Sequence, residues 1–455
     1  MIVSFSIENF RSFASEETLN LAASNRVTGQ HDNHAISIPG NEEKVLRTAV
    51  IYGANGAGKS NIFKALHFLR SAALQPKKKG AGTNRDPFRF TEGPDKPTSL
   101  DLQFIAGEKL YRYGVKIDDH HINEEWLVLI DKGREKELYE RVTTPEGQVK
   151  INAKGLKLSG DKVKALATIG GPHNQTFLAT VYATLEESDY GPDLTPVIDW
   201  FEDKLTLIRP NAAYGSLGSL LVEDPSFLEF ASDFLRSSAT GVNHLKPNKT
   251  EISEEQLQNL LPKEVLSEVI SDLEDEGETI VKIGDGKEII IEKSDENHYF
   301  LLTIQAVHET KAGKTINLDI KEESDGTLRL LNLIPALHYL RTNGGVFVID
   351  EIDRSMHPLL TWKFLDFFLK CCSGEQKQII VTTHESNLLD LELLRRDEIW
   401  FTEKGEDNAT KLYSLSDFKI RTDLAVRKHY LQGRFGAVPF LGSLDRLLVA
   451  DEVTK

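Results

Sequence analysis

Two short stretches carry residue types and spacings suited to phosphate chemistry. Gly53–Ser60 reads G-A-N-G-A-G-K-S. It follows the apolar, β-branched run 47–52 and precedes 61–71, where Ile62, Ala65, Leu66 and Leu69 recur at helical spacing. A strand, a Gly-rich loop closing on Lys-Ser and a helix together make a Walker A context. Turning backbone N–H groups inward around a triphosphate requires small residues, so Asn55, Gly56 and Gly58 are the expected lining of the cradle. Lys59 is placed to reach the β- and γ-phosphates and Ser60 to ligate Mg²⁺, with the helix N-terminus adding its positive dipole. ATP and Mg²⁺ are the cofactors this pattern calls for.

The second stretch is V-F-V-I-D-E at 346–351. Four apolar residues hold a strand inside a sheet, so the carboxylates emerge at its C-terminal end, where such folds bind ligands. Asp350 is expected to hold Mg²⁺ through water in the Walker B role, and Glu351 to act as the general base that polarises the attacking water. His384 follows the buried-strand pattern I-I-V-T-T at 379–383. Its imidazole either contacts the γ-phosphate or is a strand-end histidine without function. E-S-D-G-T at 323–327 precedes a strongly apolar helical run. It is either an anion site built on free N–H groups or an ordinary helix cap.

These residues must be positioned by a sizeable fold. At 455 residues the length suggests about three domain-sized units, or two if one is an elaborated nucleotide-binding core. Hydrophobic content of 40% with 27% charged residues is ordinary for a soluble globular chain. The net charge is −16, a poor average for nonspecific polyanion binding, although a local basic stripe still could bind DNA. Cys371 and Cys372 are adjacent and lie outside any C-x-x-C pattern, which fits core packing on a helix and a reducing cytoplasm. The N-terminus lacks the pattern of a signal peptide, and no apolar run approaches the roughly 18 residues of a membrane span. A soluble cytoplasmic protein without membrane contact is expected.

Along the chain, 1–9 alternates as a strand, and 17–21 and 35–38 read as short strands. The basic loop at 75–86 contains Lys77, Lys78 and Lys79. It is either a solvated loop or a contact for nucleic acid or an acidic partner. Thr98–Ala106, 109–118 and 121–131 are strand-like, with D-D-H turn chemistry at 118–120. His120 and His121 are read as turn residues, not metal ligands. Segments 195–207, 225–237 and 253–273 are helical in pattern, the last opened by a capping box at Ser253 and Gln256. The acidic run 272–278 is read as a loop. Strand character returns at 279–283, 287–293, 299–309 and 314–320. After residue 328, helix alternates with apolar strand to 402, Leu388–Arg395 being one of the helical pieces, which implies a parallel sheet covered on both faces. Sustained heptads are missing throughout, so a long coiled-coil arm is not expected.

Taken in order, N-F-R-S-F, G-A-N-G-A-G-K-S, E-S-D-G-T, V-F-V-I-D-E-I-D and T-T-H-E resemble the ABC-type ATPases of the SMC/RecF/OLD group. The pattern is most similar to stand-alone bacterial AAA-family ATPases of phage-defence loci, including the PARIS-system ATPase and the RloA-like and AbiL-like proteins. The ending Y-L-Q-G-R-F-G-A-V-P at 430–439 resembles theirs as well, and the resemblance is weakest between about 130 and 310. It implies an ABC-type P-loop head of α/β class with a strand-rich lobe and a helical middle lobe. In residue ranges, 1–165 and 311–455 would form the ATPase core and 166–310 an insert. By the same resemblance, Ser324 and Gly326 would touch the γ-phosphate bound by a second subunit, residues 355–358 would stand in the D-loop place, and Arg11 would approach the nucleotide. The signature departs from the Leu-Ser-Gly-Gly-Gln spelling, and Gln103 is the nearest residue to a Q-loop glutamine. The sequence shows neither a Toprim nuclease domain nor SMC arms.

Two functions follow from this resemblance. One is an ATP-hydrolysing sensor in anti-phage abortive infection. Its homodimer or higher homo-oligomer would carry composite ATP sites and control a separate nuclease or toxin effector, with a phage protein or nucleic acid as trigger. The other is a RecF-like DNA repair ATPase that clamps DNA.

Overall fold

The computed structural model describes residues 1–29, 31–78, 80–90, 96–157, 161–212, 214, 217–261, 265–266, 269–270, 273, 278–283, 287–294, 298–372, 374, 376–419 and 425–438. The basic residue Lys79, most of the acidic run 272–278 and the end of the 430–439 motif fall outside these residues. Two compact units emerge, one of Met1–Leu207, Val348–Asp350 and Gln378–Lys455, the other of Ile208–Phe347 and Glu351–Lys377.

The first unit is built on two sheets. One is antiparallel and seven-stranded, in the order Val149–Asn152, Arg134–Thr143, Ile122–Asp131, Lys109–Ile117, Thr98–Ala106, Ile2–Glu8, Glu17–Asn20. Leu100, Leu102 and Phe104 alternate with polar neighbours and are fully buried, as a strand with one core face requires. The other sheet has six strands, ordered Leu205–Ile208, Gly345–Ile349, Lys377–Thr382, Thr48–Gly53, Ile399–Lys404, Thr410–Ser414. Thr48–Gly53 runs parallel to both of its neighbours, and only the edge strand Thr410–Ser414 is antiparallel to the strand beside it among the pairs described. Every residue of Thr48–Gly53 is buried, consistent with a parallel sheet covered on both faces. Gln378 joins the two sheets: its Oε1 accepts from Ile2 N at 2.7 Å, and its Nε2 lies 2.9 Å from Ile2 O and 2.8 Å from Leu46 O.

The helix Lys59–Leu74 buries Ile62, Phe63, Ala65, Leu66 and Leu69. It is held from the side by Thr176, which donates to Ala72 O at 2.6 Å and caps the helix Phe177–Thr184. That cap region rests on Glu125, which is fully buried in the antiparallel sheet. Its carboxylate accepts from Phe177 N at 2.5 Å, Leu178 N at 3.2 Å, Tyr139 OH at 2.7 Å and Tyr113 OH at 3.3 Å. Burial pushes the Glu125 carboxyl above its ordinary range, while these donors and the Arg141 guanidinium pull it back.

The second unit carries a five-stranded antiparallel sheet, ordered His244–Ile252, Tyr299–Glu309, Lys287–Lys293, Glu278–Ile283, with Thr315–Asp319 beside Tyr299–Glu309. The strand His244–Ile252 has no sequence counterpart among the expected elements, because its H-L-K-P-N-K-T-E-I pattern is largely polar and contains a proline. The capping box at Ser253 and Gln256 forms as expected, but the helix it opens covers Glu254–Leu260. Residues 195–207 divide into the helix Thr195–Asp199, a π-helical turn Trp200–Lys204 and a strand from Leu205. Leu388–Arg395, helical in pattern, instead follows a 3₁₀ turn at Ser386–Leu388 and continues in turns. Among the described residues the longest helix is Asp325–Thr342, at 18 residues, and none is long and apolar enough to cross a membrane.

Glu125→Ala would strip four donors of their acceptor inside the first unit. The expected loss is about 3 kcal/mol, and Glu125→Gln should cost less because one oxygen still accepts. Urea-induced unfolding followed by near-UV signals measures both.

Candidate functional site: a phosphate cradle and a capped turn

The cradle begins where the strand Thr48–Gly53 ends. The loop turns through Gly56 and Gly58, both at positive φ, and the helix starts at Lys59 with Gly58 as N-cap. Gly58 has φ +105°, and a Cβ there would lie 2.8 Å from Ser12 Oγ and 2.9 Å from Thr410 Cγ2. Both the dihedral and the crowding demand glycine. Lys59 is buried, and its ammonium donates to Gly53 O at 2.7 Å and Ala54 O at 3.0 Å, spanning the loop from inside. Asn55 is exposed at the loop tip.

Asp350 follows directly on the strand Gly345–Ile349 and is buried. Ser60 Oγ donates to its Oδ1 at 3.1 Å, and Thr382 Oγ1 donates to the same oxygen at 2.6 Å. Three segments far apart in sequence thus meet at one carboxylate oxygen. A hydroxyl beside a carboxylate, at the end of a glycine-rich loop, is a donor set that suits a hard cation carrying phosphate oxygens and water. Among the described residues no cluster of three or more His, Cys, Asp or Glu is arranged for a metal ion, so such a cation would rest on Ser60 and Asp350. His120 and His121 conform to the turn reading: His121 Nδ1 lies 3.3 Å from Asp118 Oδ1, and Asp118 caps the turn.

Glu351 is the first residue beyond Asp350 and has φ +50°, a left-handed conformation that costs a non-glycine residue of order 1 kcal/mol. It is half-buried, and Arg354 Nη1 lies 3.7 Å from its Oε2. His384 is exposed, one residue beyond Thr383, whose N–H donates to Ile51 O of the P-loop strand at 3.0 Å. His384 therefore stands at the same sheet end as the P-loop. Arg11 is engaged with Asp86, through its backbone N–H to Asp86 O at 2.7 Å and its guanidinium to the carboxylate at 3.0 Å.

The neighbour of Arg11 makes the closer contact with the loop. Ser12 Oγ accepts from Asn61 Nδ2 at 2.8 Å and lies 2.7 Å from Thr410 Oγ1, which is itself 2.9 Å from Ala57 O. Ser12, Asn61 and Thr410 brace the outer side of the cradle, and Thr382 fixes the carboxylate. Sequence reasoning missed these four. Thr382 had a usable signal, since it lies one turn of alternation before His384 in the expected strand. Thr410 had none, because its partners are about 350 to 400 residues away.

In the second unit, Ser324 N-caps the helix Asp325–Thr342, its Oγ accepting from Thr327 N at 3.2 Å. A Cβ on Gly326 would sit 2.7 Å from Ser355 O, so glycine permits this turn to close on the 355–358 segment. His357 caps the next helix, Pro358–Cys371, through Nδ1 accepting from Leu359 N at 3.2 Å. Ser238, Thr240, Ser324, Gly326, Ser355 and His357 line an open cavity of about 570 Å³. Gln103, the nearest sequence candidate for a Q-loop, lies within the strand Thr98–Ala106, opposite Ser4 and Arg112. Lys77 N–H donates to Gln175 Oε1 at 2.8 Å, and the exposed Lys78 is tied by its carbonyl to Asn174, so this basic loop is packed against the chain.

Comparison with solved structures finds a low-scoring similarity to SMC head domains. One is the SMC head domain from Thermotoga maritima, with 12% identity, a TM-score of 0.37, and coverage of 92% of this chain and 99% of that one. Another is the SmcHead bound to the C-winged helix domain of ScpA, with 14% identity, a TM-score of 0.37, and coverage of 91% and 97%. A third, the Smc head with an extended coiled coil derived from Pyrococcus furiosus, has 13% identity, a TM-score of 0.34, and coverage of 91% and 96%. No curated protein matches the chain. A family model does match, over residues 49–390, and so spans both the cradle and the capped turn: the chain belongs to the family described as AAA domain, putative AbiEii toxin, Type IV TA system, and is a P-loop ATPase.

Proposed function

We propose that the chain binds Mg²⁺-ATP in the Gly53–Ser60 cradle and acts as an ATP-driven regulator in a bacterial anti-phage, abortive-infection system. The observation that carries this reading is the convergence of Ser60 and Thr382 on Asp350 beside a loop closed by Lys59. The family description, which names a toxin and a toxin–antitoxin system, supports the defence context. When bound, ATP and Mg²⁺ supply the scissile phosphoanhydride and its charge compensation. Lys59 would exchange its loop carbonyls for phosphate oxygens, and Ser60 and Asp350 would hold the cation directly and through water. Glu351 would take the proton of the attacking water, and His384, at the same sheet end as the P-loop, would meet the terminal phosphate. Arg11 would join them by leaving Asp86.

Ser324 and Gly326 offer N–H groups and a hydroxyl at a helix N-terminus, with Thr240, Ser355 and His357 around them. We assign this cavity to the nucleotide of a second copy, so that ATP closes a homodimer or a larger homo-oligomer. The output is then assembly, and a separate nuclease or toxin is what the assembly holds or releases. A phage protein or nucleic acid acts as the trigger, in the cytoplasm.

Lys59→Ala should abolish productive ATP binding, read by equilibrium dialysis with labelled ATP; normal turnover in that variant would overturn the cradle assignment. Asp350→Asn should lower turnover by about 10²–10³-fold while the fold stays intact. Glu351→Gln should keep ATP and accumulate the closed assembly in size-exclusion chromatography; unchanged hydrolysis would remove Glu351 from the role of base. A pull-down with the product of the adjacent gene, with and without ATP, tests the effector, and absence of any ATP-dependent partner would count against the regulatory reading.

A further inference from the structure

A second cavity of the first unit lies at the sheet end opposite the P-loop. The strand Ile399–Lys404 runs parallel to the P-loop strand, with Ile399 opposite Val50 and Thr402 opposite Gly53. The phosphate cradle follows Gly53, so the segment entering at Ile399 belongs to the far end. There a cavity of about 590 Å³ is lined by Ser24, Arg26, Arg396, Ser416, Phe418 and Lys419, together with Asp417. This volume is within the roughly 300–1,000 Å³ of small-molecule sites.

Three cations line this cavity in a chain of net charge −16. The two acids that follow Arg396 in the chain are already engaged. Asp397 is bound by Arg395 Nε at 2.9 Å and Nη2 at 2.8 Å, and it accepts from Ser24 N at 2.8 Å. Glu398, fully buried, is held by His34 Nδ1 at 3.0 Å and Arg395 N at 2.7 Å. The one lining carboxylate, Asp417, accepts from Ser414 N at 2.9 Å. Arg26 and Lys419 form no ion pair with a described residue. The buried group of Arg395, Asp397, Glu398 and His34 therefore fixes the 3₁₀ turn Arg396–Glu398 from beneath, and with it Arg396 at the cavity. Ser416 Oγ and Ser24 Oγ add hydroxyls, and Phe418, packed edge-on to Phe435 at 5.2 Å between ring centroids, supplies an apolar wall.

We propose that this cavity binds a phosphate monoester of mononucleotide size, with Arg26, Arg396 and Lys419 around the phosphate and Phe418 against the attached group. Guanidinium forks recognise phosphate oxygens in pairs, and three cations beside the single lining carboxylate of Asp417 give the cavity lining an excess of positive charge. The same chemistry is offered by a free nucleotide and by the 5′-phosphate of a nucleic-acid end. The site is separate from the ATP cradle, and its occupancy could report to the ATPase through the strand Ile399–Lys404, which pairs directly with the P-loop strand.

The test uses the full chain carrying Lys59→Ala, so that the cradle does not compete. Isothermal titration is run with 5′-AMP, with inorganic pyrophosphate, and with a 5′-phosphorylated and a 5′-hydroxyl oligodeoxynucleotide. Binding of a phosphate-bearing probe is expected, weakened at least about tenfold by Arg396→Gln combined with Lys419→Gln, and kept by Arg396→Lys. Should the double variant fold poorly, the exposed Arg26→Gln replaces it and should also weaken binding. Binding of 5′-AMP without the oligonucleotides identifies a free nucleotide as the source. Preference for the phosphorylated over the hydroxyl oligonucleotide identifies a nucleic-acid end. No binding by any phosphate-bearing probe, or binding indifferent to the Arg26, Arg396 and Lys419 substitutions, overturns the proposal. ATP turnover of Arg396→Gln with an intact Lys59 is expected to match the unmodified chain without added ligand.

Discussion

The carboxylate of Asp350 is the point on which the first unit's site depends. A buried acid must be satisfied by donors, and here the hydroxyls of Ser60 and Thr382 contribute at 3.1 and 2.6 Å. Ser60 belongs to the helix that begins at Lys59, and Thr382 to the next strand of the sheet. One oxygen therefore registers the P-loop helix against two strand ends. Lys59 performs the corresponding task within the loop by bridging two of its carbonyls. These polar contacts lie where a cation and phosphates would take their place, so the fold and the chemistry draw on the same groups.

Around this point the chain places supports of two kinds. Ser12, Asn61 and Thr410 brace the loop, and the close approach of Ser12 and Thr410 makes glycine obligatory at 58. Glu125 acts through the helix Phe177–Thr184 and Thr176 on the flank of the P-loop helix. The second unit repeats the theme with a different construction. There a serine cap and a glycine let a helix N-terminus close on Ser355, and a cavity opens beside them.

Much of this was legible in the chain because its signals are local. The G-A-N-G-A-G-K-S loop, the apolar strand before Asp350, the hairpin at 109–131 and the capping box at Ser253 each depend on neighbours within a few residues. Thr98–Ala106 was readable to the residue, since burial alternates from Thr98 to Phe104 and its last three residues are apolar and buried. The features that were not legible depend on distant partners. Thr410 is 353 residues from the Ala57 carbonyl it touches, and no window of sequence contains both. His244–Ile252 is a strand because Tyr299–Glu309 pairs with it over its whole length, overriding a polar pattern with a proline at 247. Arg11 stood out in sequence, yet it is the adjacent Ser12 that touches the cradle, a distinction set by the positive φ of Arg11 and its bond to Asp86.

In the proposed assembly, the cradle of one copy works with the capped turn of another. Mixing two inactive variants, Lys59→Ala and Ser324→Arg, tests it most directly. In a mixed dimer the intact cradle of the Ser324→Arg chain faces the intact turn of the Lys59→Ala chain, so one of two sites is whole. An equimolar mixture should recover roughly a quarter of the unmodified turnover, since about half of random dimers are mixed. No recovery from a mixture of two folded, associating variants would contradict the account, as would full activity of Ser324→Arg alone.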